Sequence, residues 1–165
     1  MAPAPARYQF RPMSAADLPM VRHWLTAPHV VQWWGDADEQ FELVSGDLAN
    51  PDMDQFIVAT DERPFGYLQS YDLAAWPDDA FSSHPPGTRA IDQFIGEPDM
   101  VDRGHGSAFI RAFVDGLLAA GTPRVITDPD LANARAIRAY AKAGFREDSV
   151  VNTLEGPALL MVRDP

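Results

Sequence analysis

Val101-Asp-Arg-Gly-His-Gly-Ser107 stands between a strand-like run and an amphipathic helix, and its flanks set the fold class. Upstream, Arg89-Ala-Ile-Asp-Gln-Phe-Ile95 reads as a strand. Downstream, Phe109, Ile110, Phe113, Val114, Leu117 and Leu118 recur at helical spacing from a start near Gly104, and Gly121 ends the helix. Arg124-Val-Ile-Thr127 is the next strand, Asn133 to Ala143 the next helix, ended by Gly144, and Gly156-Pro-Ala-Leu-Leu-Met-Val162 the last strand. The two glycines of the quoted loop let the backbone come close to a ligand. Unpaired N–H groups at the helix start attract anionic oxygen, so a pyrophosphate fits the arrangement. An ordinary glycine-containing connection carries the same two glycines, and the loop alone does not separate these readings. A Walker loop is excluded because Gly-Lys-Ser/Thr is absent, and the dinucleotide fingerprint lacks its third glycine.

The N-terminal half is read from the same signals. Arg7-Tyr-Gln-Phe-Arg-Pro12 alternates as a short strand. Ser14-Ala-Ala-Asp17 has the form of a capping box, with Asp17 the better N-cap because Pro19 follows. Leu18, Val21, Trp24 and Leu25 mark the first helix, which Pro28 is expected to close. A weaker helix is expected around Asp38–Ala49, after Trp33-Trp34-Gly35. Phe56-Ile-Val-Ala59 and Phe65-Gly-Tyr-Leu-Gln-Ser-Tyr71, joined through Asp61-Glu-Arg-Pro64, form a hairpin. Asp72 to Gly87 is the one long loop, rich in Asp, Ser and Pro. Strands first, then strand–helix–strand–helix–strand, indicate an α/β sheet of mixed direction.

With 165 residues, 46% of them hydrophobic, the chain can bury a sizeable core and has room for one domain, taken as 7–165 behind a flexible leader, 1–6. No apolar run reaches the ~18 residues of a membrane span. Met1-Ala-Pro-Ala-Pro-Ala6 lacks the basic and apolar regions of a signal peptide. The absence of cysteine removes disulfides and thiol chemistry, and a cytoplasmic location is expected. A net charge of −11 argues against nucleic-acid and anionic-membrane partners. It suits a cationic small molecule, although charge taken alone favours plain solubility. The four histidines show no metal-ligand spacing, so no metal is expected. His105 is read as a loop residue beside the phosphates, His23 and His29 as surface or capping residues, and His84 as a weaker candidate base.

A second segment, Asn133-Ala-Arg-Ala-Ile-Arg-Ala-Tyr140-Ala-Lys-Ala-Gly-Phe145, puts Ala136, Ile137 and Tyr140 on one helical face, where Tyr140 can equally be a core aromatic. Together with the first segment it resembles the GNAT superfamily of acetyl-CoA-dependent N-acetyltransferases. Their pyrophosphate loop reads Gln/Arg-x-x-Gly-x-Gly/Ala, and a later helix reads Asn-x-x-Ala-(x)n-Tyr-x-x-x-Gly-Phe. Val101 replaces the loop's Gln/Arg here. Val30-Val-Gln-Trp-Trp-Gly35, Gly66 to Tyr71, Arg89-Ala-Ile-Asp-Gln93, Thr127-Asp-Pro129 and Gly156 to Val162 are similar to the aminoglycoside 6′-N-acetyltransferases, from about Tyr8 to Arg163.

The resemblance implies a GNAT fold, with a mixed central sheet of about six to seven strands and about four helices. It implies acetyl transfer from acetyl-CoA to an amine of a polycationic acceptor, with Asp92 as base and Tyr140 as acid. The reaction needs a neutral amine, a stabilised oxyanion and a proton for the departing thiolate. The implied cofactor site is Phe94, Ile95, Val101, Asp102, Arg103, Gly104, His105, Gly106, Ser107, Asn133 and Tyr140. The implied acceptor site is Trp33, Trp34, Gln69, Tyr71, Asp78, Asp92 and Asp128. Gln69 and Tyr71 share one strand face by the two-residue repeat. One of the two tryptophans can equally be a hydrophobic staple under the first helix. Rival readings are acylation of a hydroxylated lysine in siderophore biosynthesis, acetylation of a protein N-terminus or metabolite amine, and a non-catalytic CoA-binding module. The siderophore relatives tend to carry His where Asp92 stands. A monomer or weak homodimer is expected, the last strand being either a free or a covered edge.

Overall fold

The computed structural model describes residues 7–76 and 83–165. The expected leader and Asp78 lie outside them. Seven strands form one sheet: β1 (Gln9–Pro12), β2 (Met53–Thr60), β3 (Arg63–Asp72), β4 (Arg89–Ile95), β5 (Val125–Thr127), β6 (Arg146–Thr153) and β7 (Gly156–Arg163). Their spatial order is β1-β2-β3-β4-β5-β7-β6, and only β4 and β5 run parallel. The helices are α1 (Leu18–Leu25), α2 (Pro28–Trp34), α3 (Ala37–Asp47), α4 (His105–Ala119) and α5 (Ala134–Lys142). The mixed α/β sheet expected from the sequence is present, with five helices rather than about four.

The extra helix comes from Pro28. Ala27 is extended, and Pro28 takes the first helical position of α2, where its missing N–H has no partner to lose. The expectation that Pro28 only closes α1 is therefore corrected: α1 already ends at Leu25, and the next helix starts at the proline. Ahead of α1, the Ser14 N–H donates to Asp17 Oδ2 at 2.9 Å, and the Arg11 guanidinium binds both oxygens of that carboxylate at 2.8 Å.

β6 is the strand that the sequence pattern did not show. Arg146-Glu-Asp-Ser-Val-Val-Asn-Thr153 is almost wholly exposed at the sheet edge, so nothing selects an apolar alternation. Its presence places β7 between β5 and β6, which makes the last strand a covered one.

Each sheet face has its own core. Ile57, Tyr67 and Phe94 pack with Val21, Trp24, Leu25, Val30 and Val44 under α1–α3. Val58, Leu68 and Ile91 pack with Phe109, Ile110, Val114 and Tyr140 under α4 and α5. Between the layers the sheet opens. The β4–β5 ladder holds only Arg89↔Val125 and Ala90↔Ile126, after which the strands diverge. Thr127 Oγ1 closes the fork by donating to the Ile91 carbonyl at 3.1 Å.

Candidate active site

The fork is the floor of a cleft of about 1000 Å³. Asp92 and Phe94 lie on the α1–α3 face of β4, while Gln93 and Ile95 lie on the opposite face, by the alternation of a strand. All four line the same cleft. That is possible because β5 does not pair with β4 beyond Ala90, so on that edge the opening runs through the sheet.

Asp92 sits at this opening. Its Oδ2 accepts an N–H from Gln69 at 2.9 Å. Burial pushes its carboxyl above the ordinary range, the Gln69 bond pulls it back, and the charge of Glu155 adds a further upward push. Tyr140 reaches the cleft from α5 on the other face. It is 4% exposed, and its hydroxyl accepts an N–H from Gln93 at 3.4 Å. Burial raises it to about 12, so it is protonated at neutral pH. Tyr71, on the face of Asp92, is also raised, first by the Asp92 charge and then by burial.

The start of α4 provides the other end. Gly104 holds φ +81°, a left-handed conformation that suits glycine, and no side chain caps the helix. The first-turn N–H groups are therefore without a side-chain acceptor. Asp102, also left-handed at φ +61°, is tied to α5 by Arg135 at 3.0 Å.

The cleft gathers most of the residues expected from the sequence. Trp33, Trp34, Gln69, Tyr71, Asp92, Phe94, Ile95, Val101, Asp102, Gly104, Gly106, Ser107, Asp128, Asn133 and Tyr140 line it. Asn133 caps α5, accepting the Ala136 N–H at 3.2 Å. Trp34 also packs on Phe94 and Tyr67, at 5.0 and 6.2 Å between ring centroids. Two residues of the α4 start direct their side chains away from the cleft, which leaves their main-chain N–H groups as the expected donor contacts. The Arg103 side chain is exposed and outside the lining. His105 is the first residue of α4, and its ring turns inward to Phe65 and to a 2.9 Å hydrogen bond with Tyr8. Neither side chain faces the cleft. His84, the weaker candidate base, meets Arg124 at 3.2 Å and is not part of the lining. His29, read as a surface or capping residue, instead links α2 to β4 through a 2.7 Å bond to the Ile95 carbonyl.

A family model for the acetyltransferase (GNAT) domain matches residues 14–153. The chain belongs to the GNAT acetyltransferases. This GNAT chain is 36% identical over 164 residues to the aminoglycoside N(6′)-acetyltransferase type 1 of Klebsiella pneumoniae, covering 93% of the chain and 81% of that protein. It superimposes on the aminoglycoside acetyltransferase AAC(6′)-Ib in complex with paromomycin and acetyl-CoA with a TM-score of 0.85 and 34% identity, covering 96% of this chain and 94% of that one. The same enzyme with coenzyme A and kanamycin gives a TM-score of 0.84 at 34% identity, covering 95% and 94%. The acetyl donor expected from the sequence, acetyl-CoA, is thus the molecule that a solved relative holds.

The GNAT cleft also holds residues that the sequence reading did not single out. Gln40, Leu43, Val44 and Asp47 of α3 face it, as do Trp76, Asp130, Glu155 and Arg138. The α3 set falls at helical spacing, a signal present in the sequence. Glu155 had no such signal, because it sits in the turn from the unrecognised β6 to β7. Among the described residues, no group of three or more His, Asp or Glu is placed to hold a metal ion, and no helix is long and apolar enough to cross a membrane.

Proposed function

We propose that this chain transfers the acetyl group of acetyl-CoA to an amine of an aminoglycoside or similar polycationic small molecule, with Asp92 as base and Tyr140 as acid. The observation that carries the reading is that a half-buried carboxylate and a buried phenol enter one through-sheet cleft from opposite faces. The relatives supply the acceptor class, since two of them are named or solved as aminoglycoside acetyltransferases.

The cradle fits the donor. Uncapped N–H groups from Gly104 to Ser107 suit a pyrophosphate, and a Cβ built at Gly106 would meet only Ile95 Cδ1, at 3.9 Å. Asn133 lies beside the cleft to bond the arm of the donor. Acetyl-CoA supplies the thioester carbonyl.

On the acceptor side, Asp47, Asp92, Asp128, Asp130 and Glu155 surround the amine with carboxylates. Asp92 binds the ammonium and takes its proton at a carboxylate oxygen, a task its raised affinity for protons assists. As the amine nitrogen bonds to the acyl carbon and the C–S bond breaks, Tyr140 gives its hydroxyl proton to the departing sulfur and is restored by the second proton that the nitrogen sheds.

The test is thiol release from acetyl-CoA over an acceptor panel: kanamycin and ribostamycin beside hydroxylysine and peptides with free N-termini. Aminoglycosides should turn over fastest, and Asp92→Asn should lower their turnover by ~10²-fold or more. A preference for hydroxylysine or peptides would replace the acceptor. No turnover on any amine would leave a CoA-binding module.

A further inference from the structure

Behind Asp92 lies a hydrogen-bonded chain of side chains from β2 and β3. In the ladders, Gln55 stands opposite Gln69 and Gln69 opposite Asp92, while Tyr67 sits two residues before Gln69 on the same face. Gln55 Nε2 donates to the Val44 carbonyl at 2.8 Å and to the Tyr67 hydroxyl at 3.0 Å. The Tyr67 hydroxyl donates to Gln69 Oε1 at 2.8 Å, and Gln69 Nε2 donates to Asp92 Oδ2 at 2.9 Å.

The direction of every bond in this chain is forced. A main-chain carbonyl can only accept, so Gln55 must turn its NH₂ toward Val44. The second N–H then points at Tyr67, whose one proton is left for Gln69 Oε1. The Gln69 amide is thereby oriented with its NH₂ on Asp92, and the acceptor-only carboxylate demands that same orientation from the other end. Tyr67 is fully buried and Gln55 7% exposed, and neither is among the described residues that line the cleft. Burying these polar groups costs stability unless each is satisfied, and an apolar pair would fill the space without that demand. What the polar pair adds is a fixed orientation of Gln69, and through it of Asp92. Oδ1 takes no part in this chain, which ends on Oδ2.

We propose that Gln55 and Tyr67 are positioning residues, which act through Gln69 to hold the Asp92 carboxylate by Oδ2 and so present Oδ1 to the acceptor amine. This rests on the reading of Asp92 as the base. It gives Gln69, expected as an acceptor contact, a second task.

The ionisable groups that act on this part of the site are Tyr67 and Tyr71 of β3, Tyr140 of α5, Asp128 after β5, Glu155 of the β6–β7 turn and Asp47 of α3. Tyr67→Phe alters none of their charges, because burial keeps the Tyr67 hydroxyl protonated. It also keeps the ring packed on Trp34 and Phe94.

The experiment is a double-mutant cycle on kanamycin acetylation. Tyr67→Phe should lower kcat ~5–10-fold with an unchanged KM for acetyl-CoA, and the same change made on Asp92→Asn should cost nothing further. The acid limb of the pH–rate profile should move up by about half a pH unit, as Asp92 loses an oriented donor to its charged form. Gln55→Met, which keeps the length of the side chain, should act in the same direction to a smaller extent, and it decides the matter if Tyr67→Phe does not fold. An equal loss in both backgrounds, or no loss in the parent, overturns the proposal while Asp92 stands as base. Near-parental turnover of Asp92→Asn alone overturns both.

Discussion

At the scale of single residues, a phenol that burial keeps protonated can give a proton at neutral pH but cannot accept one there. Tyr140→Phe removes that proton and keeps the ring packed against Phe145, 5.5 Å away between centroids. Steady-state kinetics should show kcat down by ~10–10²-fold with affinity for CoA nearly unchanged. Unchanged turnover would make Tyr140 a core aromatic only. Asp92 carries the opposite burden, a charge in a site that disfavours it. Its proton affinity is higher in the folded than in the unfolded chain. The resulting loss of stability is absent below the unfolded value near 3.9, grows as pH rises through the folded value, and is complete above it. Asp92→Asn should therefore raise Tm at neutral pH, with the gain vanishing toward pH 3. A lower Tm at pH 7 would contradict the burial argument.

At the scale of elements, the start of α4 and the end of β4 are where glycine is required. Gly106→Val can be accommodated by the fold, since its Cβ has only Ile95 Cδ1 near it, but the side chain would stand beside the N–H groups proposed to meet the pyrophosphate. Calorimetry should show CoA binding weakened on the order of tenfold or more. Unaltered affinity would put the pyrophosphate elsewhere. Gly96 is different in kind. A Cβ there would fall 2.1 Å from Trp24 Cγ, and Trp24 is buried and bonded to Glu97. Gly96→Ala should destabilise the fold by about 1–3 kcal/mol or more, seen as a drop in Tm, through overpacking where α1 meets the end of β4. The strand–loop–helix order around Gly104 was legible because its residues have one role each: apolar stripe, turn glycine, helix end. α2 and β6 were not. One is seven residues opened by a proline, and the other is an edge strand with no buried face to pattern.

At the scale of the whole molecule, charge is the property that matters. The chain carries −11, and carboxylates from α3, β4, the segment after β5 and the β6–β7 turn converge on one cleft. Attraction between exposed charges is screened beyond about 8–10 Å at physiological ionic strength. The KM for kanamycin should therefore rise steeply with added salt, while that for a monoamine acceptor changes little. Equal salt dependence for both would indicate that the acidic surroundings serve solubility.

The sequence by itself determined the α/β class and the glycine-containing loop before α4, because periodicity and turn residues are local signals. The side chains expected in the cleft came largely from the resemblance to the GNAT acetyltransferases, and strand alternation added only the shared face of Gln69 and Tyr71. Three matters were decided only by tertiary structure. The opening through the sheet exists because the β4–β5 ladder stops after two pairs, and no local pattern reports where two strands part. His105 turned inward because Tyr8, just before β1, and Phe65 of β3 offered it a partner and a surface. Tyr67 read as an ordinary strand residue, and Gln55 lay outside the expected Phe56–Ala59 run, until the register set them in line with Gln69 and Asp92. Each depends on contacts between segments far apart in the chain, and such contacts are settled by packing rather than by neighbouring residues.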